Sequence, residues 1–325
     1  MHKPPTSPVA VLPVMLPPVI TADDPLSIKR PPPVTAVLQS GREMNDEIRI
    51  VALDLDGTLL DSQKRLSEAN RSALEAAAER GIHIVPTTGR FFGMMPAAVR
   101  DLPFVRYAIT INGAQVYDRV TDSAIVREEI PLGRALELMR LLDGHDVVYD
   151  CYRANWGWMT ESLQAKAADY ATDEHYLRMI REFRRPVPEL KAHLEATAAE
   201  GDVQKVMLFT RRTDEGKAEA ERIISEVAAA FPEIKTTAST WNNLEFNIAS
   251  ANKGNSLRRF AEHLGFTLAN CMAFGDGLND LSMVEAAGTG VAMANAHPDV
   301  LAAADVVTAS NDEDGVAKTL LGCLG

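Results

Sequence analysis

The sequence is poor in cysteine, with three in 325 residues, and these lie far apart at Cys151, Cys271 and Cys323. An odd number of widely spaced cysteines fits neither a disulfide framework nor the paired spacing of a zinc site. We therefore expect reduced thiols and a cytoplasmic protein.

Long apolar runs and an excess of positive charge are also lacking. No apolar run approaches the roughly 20 residues that a membrane helix needs, so we expect no membrane partner. The net charge is −12 at pH 7, which gives no basic surface for nucleic acid. No G-x-G-x-x-G follows the first predicted strand, which argues against a dinucleotide-binding enzyme.

Proline is concentrated in residues 1–45, which hold ten of the eighteen prolines. Such a segment cannot keep a helix or an inner strand, and it lacks the pattern of a secretory signal. We expect a disordered extension. Met44, just before the first predicted strand, is an alternative start.

The rest of the chain alternates strand and helix patterns. "IRIVALDLD" predicts a strand buried on both faces, and "LSEANRSALEAAAERG" predicts a helix with Ser67 as N-cap and Gly81 just past its end. "IHIVPTTGR" and "YAITINGAQVYD" predict further strands, the second with a break at Asn112-Gly113. This order predicts an α/β fold with a parallel, Rossmann-like sheet covered by helices on both faces.

The middle of the chain changes character and the last third resumes the alternation. We expect residues 46–131 and 244–325 to form a core, and residues 132–243 to form a smaller α/β domain inserted into it.

Polar clusters lie at the predicted strand ends, where parallel α/β sheets bind their ligands. The clusters are Asp54/Asp56/Thr58, Thr88/Gly89/Arg90, Lys253 and Asp276/Gly277/Asn279/Asp280. Carboxylates without histidine or cysteine at zinc spacing favour a hard cation, and Mg²⁺ is the natural candidate. Thr58, Thr88, Lys253 and the N–H groups of the glycine turns are donors for a bound phosphate.

Asp54 and Asp56 are two positions apart at a strand end, and Gly57 permits a sharp turn. One carboxylate can then face the metal and the substrate while the other approaches the leaving group, which suits a nucleophile and a general acid/base. For this fragment alone, an ordinary strand-to-turn boundary explains the pattern equally well.

Four ordered motifs, "DLDGTLLDS", "TTGR", "NKG" and "GDGLNDLSM", resemble those of haloacid dehalogenase-like (HAD) phosphohydrolases. The tail "AGTGVAMANAHPDVLAAADVVTASNDEDGVA" is similar to the end of their Cof-type subfamily. The resemblance covers residues 48–325. It implies that Asp54 attacks phosphorus to form an aspartyl-phosphate, and that Asp56 protonates the leaving alcohol and then activates water.

The resemblance also implies the binding roles. Thr88 and Lys253 would hold the phosphoryl group, and Asn279 would contact it or order its loop. Mg²⁺ would be bound by Asp54, the backbone carbonyl of Asp56 and Asp276, with Asp280 close by.

The spacing of the motifs indicates where a cap domain lies. Asp54 and Thr88 are 34 positions apart, whereas 165 positions separate Thr88 from Lys253. Only the second interval can hold a cap, which is the type-2 arrangement in this family, and the mixed α/β pattern of the insert resembles the Cof-like, type-2B version. Such a cap would close over the site and read the leaving group.

Several residues have both a functional and a structural interpretation. Arg90 and Asn112 are candidate substrate contacts. The aromatic residues Tyr152, Trp156 and Trp158 could read the substrate or only pack a small core, and Glu245 could brace Lys253 or its own strand.

The sequence therefore predicts a Mg²⁺-dependent phosphatase of small phosphate esters, such as sugar phosphates or the phosphorylated cofactors FMN and PLP. The alternatives are a phosphomutase or a specialised sugar-phosphate phosphatase of the same fold, and a non-catalytic metabolite-binding relative. The substrate and the oligomeric state stay open.

Overall fold

The computed structural model describes residues 48–171 and 174–324. The proline-rich stretch 1–45 lies outside these residues. The described strands are β1 (Ile50–Leu53), β2 (His83–Pro86), β3 (Tyr107–Thr110), β4 (Gln115–Asp118), β5 (Ser123–Arg127), β6 (Val147–Arg153), β7 (Trp156–Thr160), β8 (Arg184–Val187), β9 (Lys205–Thr210), β10 (Ile234–Thr240), β11 (Asn243–Ile248), β12 (Cys271–Gly275), β13 (Thr289–Ala292) and β14 (Val306–Val307).

The helices within the same residues follow the expected alternation with the strands. They are α1 (Glu68–Glu79), α2 (Ala97–Arg100), α3 (Leu132–Leu142), α4 (Glu161–Lys166), α5 (Glu174–Phe183), α6 (Leu190–Ala196), α7 (Asp214–Ala230), α8 (Lys253–His263), α9 (Leu281–Ala286), α10 (Pro298–Ala303) and α11 (Gly315–Leu324). In the described part of the chain, every helix is too short or too polar to cross a membrane.

A five-stranded parallel sheet forms the first layer, in the order β14-β13-β12-β1-β2. Strand β1 is an inner strand, between β12 and β2, and is buried on both faces: Val51 and Leu53 pack into one apolar cluster, and Ile50 and Ala52 into another. Burial on both faces is what its unbroken apolar sequence predicted. The predicted α/β class with a parallel sheet is confirmed.

Helix α1 begins and ends as the sequence predicted. The side chain of Ser67 accepts a hydrogen bond from the N–H of Asn70, which satisfies a donor in the first turn. Gly81 follows the helix with a φ of +80°, a left-handed conformation that favours glycine.

The stretch predicted as the third parallel strand differs from expectation. Ile111, Asn112 and Gly113 all have positive φ angles, so the chain turns back and β3, β4 and β5 form an antiparallel sheet. A single parallel bridge between Thr87 and Ile109 links β3 to the end of β2.

A second large sheet has six strands in the order β10-β11-β9-β6-β7-β8. Its pairs are antiparallel except for β7 with β8. The strands come from residues 147–248, so β11 continues past residue 243, where we placed the end of the inserted domain. The division into domains stays a prediction.

Candidate active site

Asp54 follows β1 directly and is buried, with 6% of its surface exposed. Its Oδ1 accepts a hydrogen bond from Lys253 Nζ at 2.6 Å. Burial raises the pKa of the Asp54 carboxyl, and the negative charge of Asp280 raises it further, while Lys253 opposes the shift. The carboxylate thus lies at a strand end and is almost completely shielded from solvent.

Lys253 is the first residue of α8 and is fully buried. Its ammonium also donates to Asp280 Oδ1 at 2.5 Å. Burial alone would lower the pKa of Lys253, but the carboxylates of Asp280 and Asp54 outweigh it, and the net shift is upward. Lys253 therefore carries its charge and joins two strand ends that are distant in sequence.

Asp276 and Asp280 belong to the loop between β12 and α9. Asp280 Oδ2 accepts from the backbone N–H groups of Asp276 and Gly277, at 3.0 and 2.9 Å. Thr58 donates from its hydroxyl to Asp276 Oδ1 at 2.7 Å. Asp280 thereby braces the loop, and Thr58 orients the carboxylate of Asp276.

Asp54, Asp276 and Asp280 offer carboxylate oxygens that all lie within 4.8 Å of one another. Burial raises the pKa of Asp276 to about 6, and Lys253 supplies a single positive charge to these three acids. Burial and crowding therefore disfavour the charged forms of Asp54 and Asp276, and a bound cation would favour them. An all-oxygen donor set of this kind fits a hard divalent cation such as Mg²⁺.

Asp56 lies two positions after Asp54 and directly before Gly57. Arg90 Nη2 lies 2.7 Å from Asp56 Oδ2, and Lys64 Nζ lies 2.9 Å from Oδ1. Burial opposes the shift, but Arg90 and Lys64 hold the pKa of Asp56 below its usual value. Two carboxylates two positions apart thus have opposite pKa shifts, which separates their acid–base behaviour.

The turn after β2 carries Thr88, Gly89 and Arg90. Asn112, in the left-handed conformation, donates its backbone N–H to the carbonyl of Thr88 at 3.1 Å, and its side chain donates to Glu245 Oε2 at 3.0 Å. The sequence placed Asn112 at the mouth of the core, and the structure puts it beside this turn.

A cavity of about 850 Å³ lies between the ends of the parallel strands and the six-stranded sheet. The core residues lining it include these predicted site residues: Asp54, Asp56, Thr88, Gly89, Arg90, Asn112, Asp276, Asn279 and Asp280. Thr58 and Lys253 are fully buried. They contact the lining residues Asp276 and Asp54 through hydrogen bonds. The structure therefore brings all the predicted positions to one edge of the sheet.

Lys205 is a site residue that the sequence reasoning missed. It lies at the start of β9, is 2% exposed, and donates to Glu245 Oε2 at 3.0 Å and to the carbonyl of Gly89 at 3.2 Å. A lysine within the apolar run "VQKVMLFT" was the signal, because a buried charge requires a partner. Glu245, considered earlier as a brace, accepts from both Lys205 and Asn112.

The three aromatic residues considered as substrate contacts differ in their position relative to the cavity. Tyr152 is buried and lines the cavity. Trp156 is 41% exposed and stacks against Arg185. Trp158 packs on His193, which is the structural interpretation.

Parallel α/β enzymes bind their ligands at this edge of the sheet, and the arrangement described above is that of an α/β enzyme. The sequence model of the haloacid dehalogenase-like hydrolase family matches residues 51–320, so the chain belongs to this family. The resemblance of the four motifs is thereby confirmed.

Named relatives within this similarity are phosphatases. The chain is 28% identical over 274 residues to the 5-amino-6-(5-phospho-D-ribitylamino)uracil phosphatase YcsE of Bacillus subtilis (strain 168), covering 84% of this chain and 95% of that protein. It is 29% identical over 270 residues to the pyridoxal phosphate phosphatase YbhA of Escherichia coli (strain K12), covering 83% and 96%.

A solved structure gives the same result for the fold. A haloacid dehalogenase-like hydrolase from Bacteroides thetaiotaomicron superposes with a TM-score of 0.71 at 28% identity, covering 85% of this chain and all of that one. The expected enzyme class, a phosphoric monoester hydrolase, is confirmed at the level of the family.

Proposed function

We propose that this protein is a Mg²⁺-dependent phosphatase of small phosphomonoesters that forms an aspartyl-phosphate on Asp54. The observation that supports it best is the position of Asp54, which lines a large cavity, is bonded to Lys253, and lies within 4.8 Å of Asp276 and Asp280. Phosphoryl transfer requires an aligned nucleophile and compensation of negative charge.

Asp54 and Asp276 would hold Mg²⁺, together with the backbone carbonyl of Asp56. When bound, the cation supplies positive charge for the phosphoryl oxygens and for the crowded carboxylates. Asp280 has both oxygens engaged within the protein, so its proposed part is to hold Lys253 and the loop in place.

In the first step, a carboxylate oxygen of Asp54 attacks phosphorus and the bond from phosphorus to the leaving oxygen breaks. The carboxyl group of Asp56 gives its proton to that oxygen. In the second step, the Asp56 carboxylate takes a proton from water, which attacks phosphorus and releases inorganic phosphate from Asp54.

The contacts of Asp56 bear on both steps. Its ion pairs with Arg90 and Lys64 favour the carboxylate, which is the form that activates water. Delivering a proton requires Asp56 to act as an acid, so a substrate that draws Arg90 towards its phosphate would favour the first step. Thr88 and the N–H of Gly89 line the cavity at the same turn and would donate to the phosphoryl oxygens.

The six-stranded sheet would act as the cap. It supplies Lys205, Arg184 and Tyr152 to the wall opposite Asp54, and closing that wall would exclude water from the aspartyl-phosphate.

The variant Asp54→Asn tests the nucleophile, since an amide cannot form the acyl-phosphate. We expect phosphate release to fall by roughly 10⁴-fold or more, while Glu75→Asn on the exposed face of α1 keeps wild-type turnover. The measurement is Mg²⁺-dependent phosphate release from a panel of monoesters, with circular dichroism to verify folding.

Full activity in Asp54→Asn would refute the assignment. Conversion of a hexose 1-phosphate into an isomeric ester without free phosphate would instead identify a phosphomutase.

A further inference from the structure

Strand β9 presents two different faces because side chains alternate along a strand. Val206 and Leu208 pack into the apolar cluster under α3 and α7. Met207 and Phe209 point to the opposite face and line the cavity. One side of the cavity, opposite the parallel sheet, is therefore formed by the apolar face of β9.

Helix α5 extends this apolar surface. Tyr176, Met179 and Ile180 line the same cavity, and the Tyr176 and Phe209 rings pack edge to face with centroids 5.6 Å apart. We call these five residues (Tyr176, Met179, Ile180, Met207 and Phe209) the apolar wall. Apart from the Tyr176 hydroxyl, their side chains offer no hydrogen-bond donor.

The buried charges beside the apolar wall already have partners. Arg184 pairs with Asp150, Nε to Oδ2 at 2.9 Å, and donates to the Tyr152 hydroxyl at 2.8 Å. Lys205 pairs with Glu245. A leaving group would have to compete with these bonds to form its own.

We propose, on the basis of the phosphatase function above, that the apolar wall selects a planar heteroaromatic leaving group over a sugar. An aromatic ring packs favourably against thioether and aromatic side chains. The hydroxyl groups of a hexose would give up their hydrogen bonds to water against a surface that cannot replace them. The pyridine and isoalloxazine rings of PLP and FMN represent the proposed class.

Polar substituents of such a ring have a place at one side of the cavity. Lys235 and Thr237, two positions apart on β10, line the cavity from the cap, and alternation puts both on the same face of the strand. The Lys235 ammonium and the Thr237 hydroxyl would donate hydrogen bonds to an oxygen or carboxylate substituent on the ring.

The test compares kcat/KM for pyridoxal 5′-phosphate and FMN with that for glucose 6-phosphate and fructose 6-phosphate, in saturating Mg²⁺. Acetyl phosphate is the reference, because its small acetate leaving group has neither a ring nor hydroxyl groups for the apolar wall to discriminate. We expect the better heteroaromatic ester to exceed both hexose phosphates by roughly 100-fold, the scale on which pockets discriminate hydroxyl groups.

Two variants of β9 assign that preference to the wall. Phe209→Leu keeps an apolar side chain but removes the ring, and we expect the ratio of heteroaromatic to hexose kcat/KM to fall about tenfold. Leu208→Val is the matched control, because Leu208 faces the other side of the sheet, and we expect it to keep the wild-type ratio.

Hexose phosphates turned over as well as or better than the heteroaromatic esters would overturn the inference. If the ratio of heteroaromatic to hexose kcat/KM is unchanged in Phe209→Leu, the apolar wall does not set the preference. If acetyl phosphate is hydrolysed in either case, the proposed phosphatase function stands. If neither acetyl phosphate nor any of the four esters is hydrolysed, both proposals fail.

Discussion

Gly57 directly follows Asp56, the second aspartate of the first motif, and its missing side chain makes room for the carboxylate of Asp276. Its φ is +91°, and a Cβ atom added there would lie 2.4 Å from Asp276 Oδ2. The turn therefore depends on glycine for two reasons, backbone conformation and the approach of Asp276.

Comparing two glycine variants separates these reasons. Gly81 has a similar φ of +80°, and a methyl group added there would have open space around it. For Gly81→Ala we therefore expect only the conformational cost, a loss of about 1–2 kcal/mol in stability. Gly57→Ala carries that cost and also displaces Asp276, so we expect a larger loss of stability and of phosphatase activity. Urea unfolding and phosphate release measure the two effects.

Equal losses in the two variants would mean that Asp276 moves aside without consequence. Activity in Gly81→Ala should stay near that of the wild type, because α1 ends far from the cavity lining.

The sequence predicted most individual site positions because each stands at a strand end with a chemically specific side chain. Asp54, Thr88 and Asp276 all came from short motifs of this kind. Lys205 and Glu245 could not be paired in advance, since they are 40 positions apart and the register that joins β9 to β11 is set by tertiary packing.

At the scale of elements, a hydrogen-bonded network joins the six-stranded sheet to the turn after β2. Lys205 on β9 bonds both Glu245 on β11 and the carbonyl of Gly89, and Asn112 also donates to Glu245. The turn that carries Thr88 and Gly89 is thus tied to the six-stranded sheet by buried charges.

Lys205→Met removes the charge but keeps a side chain of similar length. Glu245 then stays buried without its cation, and we expect a loss of about 3–5 kcal/mol in the free energy of unfolding. Arg222→Met is the control, because its pair with Glu219 on α7 is largely exposed on the arginine side, and we expect a change within about 1 kcal/mol. Denaturant unfolding measures both.

The double variant Lys205→Met/Glu245→Gln should recover part of that loss, since no uncompensated charge remains. A Lys205→Met variant as stable as Arg222→Met would contradict the proposed importance of the network.

Element predictions succeeded where several signals agreed and were incomplete where the chain reverses within an apolar stretch. Helix α1 has a capping serine, an apolar face and a terminal glycine, all in agreement. The stretch from Tyr107 to Asp118 is predicted as a strand with a break at Asn112-Gly113, and Asn-Gly is a strong hairpin signal. The chain does reverse there, but positive φ angles begin one residue earlier, at Ile111, which an isoleucine does not predict.

At the scale of the whole molecule, Mg²⁺ binding and folding should be linked. A cation that binds only the folded site stabilises it by about 2.7 kcal/mol at a concentration 100 times its Kd. We expect the thermal midpoint to rise with Mg²⁺ in the wild type and to rise much less in Asp276→Asn. Asp299→Asn, an exposed change on α10, should respond as the wild type does.

Scanning calorimetry with Mg²⁺, and with NaCl at matched ionic strength, makes the measurement. An equal response in Asp276→Asn would remove Asp276 from the set of proposed ligands.

The parallel sheet places β1 between β2 and β12, although β12 begins 218 positions after β1 ends. During synthesis on a ribosome, β1 and Asp54 emerge early, and one edge of β1 stays unpaired until β12 has been made. Lys253 and the loop of Asp276 also arrive late, so no working site exists in a truncated chain. An open apolar strand edge over that interval is prone to aggregation, so we expect the nascent chain to be most prone to self-association before β12 emerges.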